Sequence, residues 1–198
     1  VYGAADPNSG TAAMLELARG FSRLIATGWR PRRTLVLASW SGEEYGLVGS
    51  TAWAELHPEE VSKTYAYINV DTAVSGDYLV GGGSFALRDA FVDVLKAISG
   101  PTGKPLSESW SNDWKVLGSG SDYTVFLDHF GVASVDFDFS RTNAHGSESS
   151  YGQYHSVYDS FDWMKNFGGG AWGESFQYMR TAAQVWGLLA LRLVDREV

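Results

Sequence analysis

Residues 34–50 read TLVLASWSGEEYGLVGS. The first seven, Thr34–Trp40, make a short apolar run of strand length, and Ser41-Gly42 breaks it with a turn. An unalternated run of this kind suits a strand covered on both faces, at the centre of a largely parallel sheet. Two adjacent glutamates, Glu43 and Glu44, follow the break at once. Open α/β sheets bind their ligands beyond the carboxyl ends of the strands. This one stretch therefore sets both the expected fold and the place to look for chemistry.

The flanking sequence supports that frame. Met14, Leu17, Ala18, Phe21, Leu24 and Ile25 recur at helical spacing over 11–27, and Gly28 can end that helix. A second helix is expected near Ser50–Leu56, closing before Pro58, and a second strand at Tyr65–Val70 with Asp71 just past it. Gly81-Gly82-Gly83 reads as a turn before a helix carrying Phe85, Phe91, Val92, Leu95 and Ile98. Residues 99–120, with Pro101, Pro105 and several Ser and Gly, read as loop with exposed Trp110 and Trp114. A short helix over 121–129, a strand Val132–Phe139, a polar loop over 140–153 and a last helix from Glu174 to Leu193 complete the chain. The alternation predicts a three-layer α/β/α fold with a mixed, mainly parallel sheet. Thr34–Trp40 and Tyr65–Val70 are expected in one sheet.

Composition narrows the function. The 198 residues, 44% hydrophobic, suit one domain with a substantial core. Fifteen basic against 23 acidic residues give a net charge of -8, and no stretch concentrates Lys and Arg, which argues against a nucleic-acid partner. The chain has no cysteine, so disulfides, thiolate metal ligands and cysteine nucleophiles are excluded. No apolar run approaches membrane-spanning length, so an anchor is expected only outside these residues. Gly81-Gly82-Gly83-Ser84 lacks the lysine of a phosphate-binding loop, and neither Ser119 nor Ser121 sits in a Gly-x-Ser-x-Gly elbow.

Five residues stand where strands or loops end: Asp6, Glu43, Glu44, Asp71 and His155. Together they can hold two divalent metals and leave one carboxylate free to move protons, which points to a co-catalytic metallohydrolase. Each also has an ordinary reading. A Glu-Glu pair is often surface charge, an aspartate after a strand often forms a turn, and Asp6 before Pro7 can open a turn and cap a helix.

Five segments go further: GAADPNSGTA at 3–12, EEYGLVGSTAWAE at 43–55, YAYINVD at 65–71, LGSGSDYTVFLDHFGVAS at 117–134 and YHSVYDSFDWMKNF at 154–167. In wording and order they resemble the glutamate carboxypeptidase II and transferrin-receptor-like family of zinc peptidases, the M28 peptidases. The resemblance implies that Asp6 bridges two zinc ions, that Glu44 and His155 complete one zinc site, and that Asp71 serves the other. It makes Glu43 the general acid/base and Tyr154 the group that stabilises the tetrahedral intermediate. A further histidine ligand, about ten residues before the bridging aspartate, would precede Val1. The resemblance also implies peptide substrates, a homodimer, and a place in the secretory pathway, the vacuole or lysosome, or the cell surface. By this reading residues 1–198 are the C-terminal part of the catalytic domain, a fold incomplete at its N-terminal side, without the apical and helical dimerisation domains. The rest of the polypeptide, or a complementary chain, is then an expected partner. A non-catalytic receptor or trafficking adaptor on the same scaffold is the competing expectation.

Departures from the family pattern bear on substrate. Ser119 and Ser121 lie in the substrate-facing loop, where Ser121 replaces an asparagine that contacts substrate. Asp136 and Asp138 stand where the glutamate-preferring member has arginines. Arginines favour acidic groups, so these aspartates point to neutral or basic groups instead. Glu55 matches one ligand of a structural calcium, but Ala52 occupies the position of another. Carboxypeptidase-type activity is expected, with aminopeptidase activity also compatible with these residues.

Overall fold

The structure is a computed structural model that describes residues 1–142, 148–169 and 175–195. Its α-helices are α1 (Asn8–Ala26), α2 (Val48–Leu56), α3 (Pro58–Ser62), α4 (Phe85–Ala97), α5 (Leu106–Ser109), α6 (Phe161–Phe167) and α7 (Ser175–Asp195), and the helix expected over 121–129 includes a π-helical turn at Val125–His129. Its strands are β1 (Tyr67–Asn69), β2 (Tyr78–Gly83), β3 (Trp114–Lys115), β4 (Ser134–Thr142) and β5 (Glu148–Ser149). The sheet runs β1-β4-β2-β3, with β5 paired to the end of β4. The β1–β4 and β2–β3 pairs are parallel, and β4 lies antiparallel to β2. The sheet is therefore mixed, as expected.

Alternation along β4 separates its two faces. Val135, Phe137 and Phe139 point into the main core against Phe91, Val94 and Leu95 of α4 and Tyr178, Val185 and Leu189 of α7. Phe91, Phe137 and Phe139 are all below 2% exposed, so truncating any one to alanine should cost about 3–5 kcal/mol. On the other face Tyr67 stacks on Phe126 with ring centroids 4.3 Å apart, in a second core with Ala54, Val61 and Val132. Apolar layers on both faces give the three-layer arrangement. The stripe of α1 buries Ala13, Leu17 and Phe21, the last two packed with Ala190 of α7. Gly187 permits that close crossing, since a Cβ there would lie 2.8 Å from Leu17 Cδ2.

Several sequence expectations are corrected. Among the described residues Thr34–Trp40 belongs to no strand, and its backbone forms no hydrogen bond. It is tied to the β1 segment by side chains instead. The Arg33 guanidinium lies 4.2 Å over the Tyr65 ring, Leu35 and Ile68 share a core cluster, and Trp40 Nε1 donates to Tyr67 Oη at 3.0 Å. Val36 is 71% exposed and Leu37 40%. Apolar composition supplies strand propensity, but a strand needs a neighbouring backbone in register, and no described strand offers one here. The Tyr65–Val70 strand is present as β1, so the two segments do not share a ladder.

Gly81-Gly82-Gly83 is the end of β2 rather than a turn. A Cβ on Gly82 would lie 2.6 Å from the Lys115 carbonyl oxygen, and one on Gly83 would lie 2.3 Å from that of Ser134. These glycines mark close backbone approach. The stretch 99–120 contains α5 and β3, and Trp110 is only 7% exposed. Trp110 and Trp114 both pack on Phe91, which explains two large aromatics in a polar segment. The 140–153 region includes the end of β4 and β5, with 143–147 outside the described residues. No described helix is long and apolar enough to cross a membrane.

Candidate metal centre

Asp6 sits in the turn before α1 and is 9% exposed. Its backbone is held from the far end of the chain. Asp159, 2% exposed, accepts hydrogen bonds from the Ala5 N–H at 2.7 Å, the Asp6 N–H at 3.1 Å and the Tyr151 hydroxyl at 2.9 Å. The first turn of α1 is in turn fixed to the segment after Asp71, since Ser9 Oγ accepts from the Ala73 N–H at 2.8 Å. Gly10 makes this possible. A Cβ at that position would stand 2.0 Å from the Asp71 carbonyl oxygen and 2.5 Å from that of Val70.

Glu43 and Glu44 lie on a 3-10 turn, Glu43–Tyr45, entered at Gly42 (φ 68) and left at Gly46 (φ 97). Both backbones are left-handed, where glycine carries no Cβ penalty. Asp71 follows β1 by two residues. His155 lies in the turn before α6 with φ 55, and its ring stacks on that of Tyr154 with centroids 3.6 Å apart.

These loops bring the predicted ligands together. His155 Nε2 is 3.3 Å from Asp6 Oδ2 and 3.0 Å from Glu44 Oε2, and ligand atoms of Asp6, Glu44 and His155 all lie within 4.8 Å of one another. Ligands held about 2.0–2.2 Å from a tetrahedral zinc stand roughly 3.3 Å apart, so these separations fit one ion. Asp71 stands against Asp6, close enough for the two carboxyls to share a proton, and its buried Oδ1 receives no N–H or hydroxyl from any described residue. Two buried carboxyl groups in such contact are expensive as a pair of anions, and either a proton held between them or a cation relieves the cost.

The electrostatics agree. Burial and then the nearby Asp6 and Glu43 push the Asp71 carboxyl up to about 8. Burial, then Asp122 and Glu44, push Glu43 up to about 7. Asp6 is raised by burial and by Glu44. Carboxyls crowded this closely hold protons that a divalent cation would displace. The group Asp6, Glu44, His155 can thus hold a metal, Asp71 can serve a second position beside it, and Glu43 has the proton affinity of a base working near neutrality.

The remaining predicted residues are placed differently. Tyr154 is 49% exposed beside His155. Ser121 Oγ donates to Asp71 Oδ2 at 3.3 Å, whereas Ser119 is exposed. Asp136 and Asp138, two apart on β4, share the face that carries Tyr67 and Asn69. Asp136 accepts from Asn69 Nδ2 at 2.9 Å, and burial raises its carboxyl to about 6. Asp138 Oδ1 is buried without a partner, and burial and then Asp136 raise that carboxyl well above its ordinary range. Glu55 is exposed, and no second group of three metal-ligating side chains occurs among the described residues. An apolar groove of about 800 Å³ lies between α1 and α7, lined by none of the ligand residues.

Sequence reading missed Asp159, Gly10, Asn69 and Asp122, whose carboxylate accepts from Ser50 Oγ. Asn69 carried a signal, as a polar residue inside the apolar run YAYINVD. Asp159 carried a weaker one, four residues after His155.

Comparison with known proteins gives the same direction. The profile described as Peptidase family M28 matches residues 1–177. The chain is 41% identical over 206 residues to "Probable glutamate carboxypeptidase LAMP1" of Arabidopsis thaliana, covering 100% of this chain and 28% of that protein. It is 35% identical to "Aminopeptidase NAALADL1" of Mus musculus, covering 98% of this chain and 28% of that protein. The chain thus spans little more than a quarter of the length of these relatives. Its fold matches BSAP, a zinc aminopeptidase from Bacillus subtilis, with a TM-score of 0.69 at 18% identity, covering 99% of this chain and 43% of that one.

Proposed function

The chain belongs to peptidase family M28, and on that premise we propose that its carboxylate–imidazole cluster is the centre of a two-zinc exopeptidase of carboxypeptidase type. The observation that carries the reading is the meeting of Asp6, Glu44 and His155 around one point, beside the buried Oδ1 of Asp71. Asp6 would bridge, Glu44 and His155 would complete one ion, and Asp71 would hold the other. Asp6 and Asp71 are two protein ligands where three or four are usual. The resemblance expects the third to be a histidine ahead of Val1. When bound, zinc supplies a Lewis acid for the scissile carbonyl and lowers the pKa of an attacking water toward neutrality.

The chain's own residues do the rest. Glu43, outside the close ligand group, takes the proton from the attacking water and returns it to the leaving amine. Its raised affinity for a proton suits both halves of that task. The resemblance gives the Tyr154 hydroxyl, exposed beside His155, the task of donating to the developing oxyanion. Ser119 and Ser121 belong to the substrate-facing loop, with Ser119 the exposed one of the two, and Asp136 and Asp138 offer no cation there to pair with an acidic side chain. A structural calcium is not part of the proposal, because Glu55 is exposed and Ala52 offers no ligand. Homodimerisation and a location in the secretory pathway, vacuole or cell surface rest on the resemblance alone.

Glu43→Gln in the native full-length polypeptide tests the assignment. It should retain wild-type zinc content and lose kcat on peptide substrates by at least about 10³-fold, since base and acid roles go together. Unchanged turnover would remove Glu43 from the chemistry. A wild-type protein that binds no zinc would favour the adaptor instead.

A further inference from the structure

Asn69 interrupts an apolar strand and is 5% exposed. A buried carboxamide must satisfy two N–H donors. Its Nδ2 donates to Asp136 Oδ1 at 2.9 Å and to Ser121 Oγ at 3.1 Å. The register of the β1–β4 ladder sets up the first bond, because Asn69 and Asp136 are paired across it. The Ser121 hydroxyl, having accepted, passes its own hydrogen to Asp71 Oδ2 at 3.3 Å.

We propose that Asp136, Asn69 and Ser121 form a one-way hydrogen-bond chain that positions Asp71, holding Oδ2 on the hydroxyl so that Oδ1 is the oxygen presented to the metal. The inference rests on the metal reading above. The direction of the chain follows from its far end. A carboxamide can turn over, exchanging its oxygen and nitrogen. Turned over, Asn69 would set its oxygen against the Asp136 carboxylate, two acceptors with no hydrogen between them. It would also compete for the Ser121 hydrogen and release Asp71 Oδ2. Asp136 prevents this, so a carboxylate on β4 decides which oxygen of Asp71 is free. The buried Asp71 Oδ1, which receives no N–H or hydroxyl from the described residues, is the counterpart of that arrangement. Ser121, Asn69 and Asp136 are positioning residues, acting through Asp71.

Outer partners of metal ligands typically change affinity by about 10–100-fold. Zinc affinities of the native full-length polypeptide are measured by competition with a chromophoric chelator, for wild type, Ser121→Ala and Asn69→Leu. Ser121→Ala removes one buried hydroxyl and keeps the backbone. It should weaken one of two bound ions by about 10–100-fold and the other by less than about threefold. Asn69→Leu should give the same selective loss. A merely structural role would lower both affinities together, so equal losses overturn the proposal, as does no loss. A wild type that takes up only one ion overturns it while leaving a metal centre at Asp6, Glu44 and His155. A wild type that takes up none overturns both readings. A zinc-loaded crystal structure with Asp71 ligating through Oδ2 would also overturn it.

Discussion

Replacing Asp159 with alanine should destabilise the chain by about 3–5 kcal/mol, through groups that the substitution leaves behind. Three donors converge on this carboxylate: the backbone N–H groups of Ala5 and Asp6 and the hydroxyl of Tyr151, itself 4% exposed. A buried donor stripped of its acceptor costs about 1–3 kcal/mol. Three fully stranded donors would sum to more than 3–5, but the space left by the side chain admits water to part of the set. For a chain of this size about 1 kcal/mol moves Tm by roughly 2–4 °C, so the midpoint should fall by roughly 6–20 °C. Asp159→Asn keeps the shape and one acceptor, and should lose only about 1–2 kcal/mol. Thermal unfolding followed by near-ultraviolet circular dichroism would read both variants, since Trp163 stacks directly on Tyr151. An alanine variant melting within about 2 °C of wild type would refute the reasoning, as would an asparagine variant as damaged as alanine.

Two further outcomes follow from the site. In the metal-free fold Asp71 and Glu43 sit at about 8 and about 7, against ordinary values of 3.8 and 4.5. The folded state keeps protons that the unfolded chain has released, so stability is lost as pH rises from about 4 to about 8. Without metal, Tm should fall across that range, and saturating zinc should flatten the slope; a metal-free Tm that rises instead would refute the crowding. Gly10→Ala should destabilise by about 1–3 kcal/mol and weaken zinc binding, because overpacking against the Asp71 carbonyl exceeds the roughly 1 kcal/mol that alanine adds to a helix. A more stable Gly10→Ala variant, by thermal melting, would show that α1 does not press on that strand end.

Much of the fold was legible in local pattern, and the misses share a cause. The helices α1 and α7 and the strands β1 and β4 follow directly from periodicity, because each buries a face that its own sequence marks. Thr34–Trp40 has an equally apolar sequence, yet its status depends on a neighbouring backbone, which no local pattern reports. Gly81–Gly83 read as a turn because glycine is permissive, whereas its use in β2 is to let Phe91, Lys115 and Ser134 come close. Trp110 and Trp114 looked exposed in a polar stretch until Phe91 supplied their packing partner. At the site, Asp6, Glu44, Asp71 and His155 were marked by residue type and by resemblance. Asp159 and Asn69 were not, since their work is to satisfy polar groups brought to them from distant parts of the chain.

The distribution of the ligand loops also bears on the order of folding. Asp6 comes from the loop before α1, Glu44 from the 3-10 turn Glu43–Tyr45, Asp71 from just past the end of β1 and His155 from the loop before α6. The Ala5–Asp159 contact that joins the outer loops has a sequence separation of 154. Closing so long a segment is entropically unfavourable until the packing within it is largely formed, so contacts of this range belong late in the search. No short, early-folding hairpin or helix pair contains three of the four proposed ligands. An ion meeting the nascent chain therefore finds no template to bind. Its grip tightens only after the topology is in place, so it slows departure from the native basin far more than it hastens arrival there.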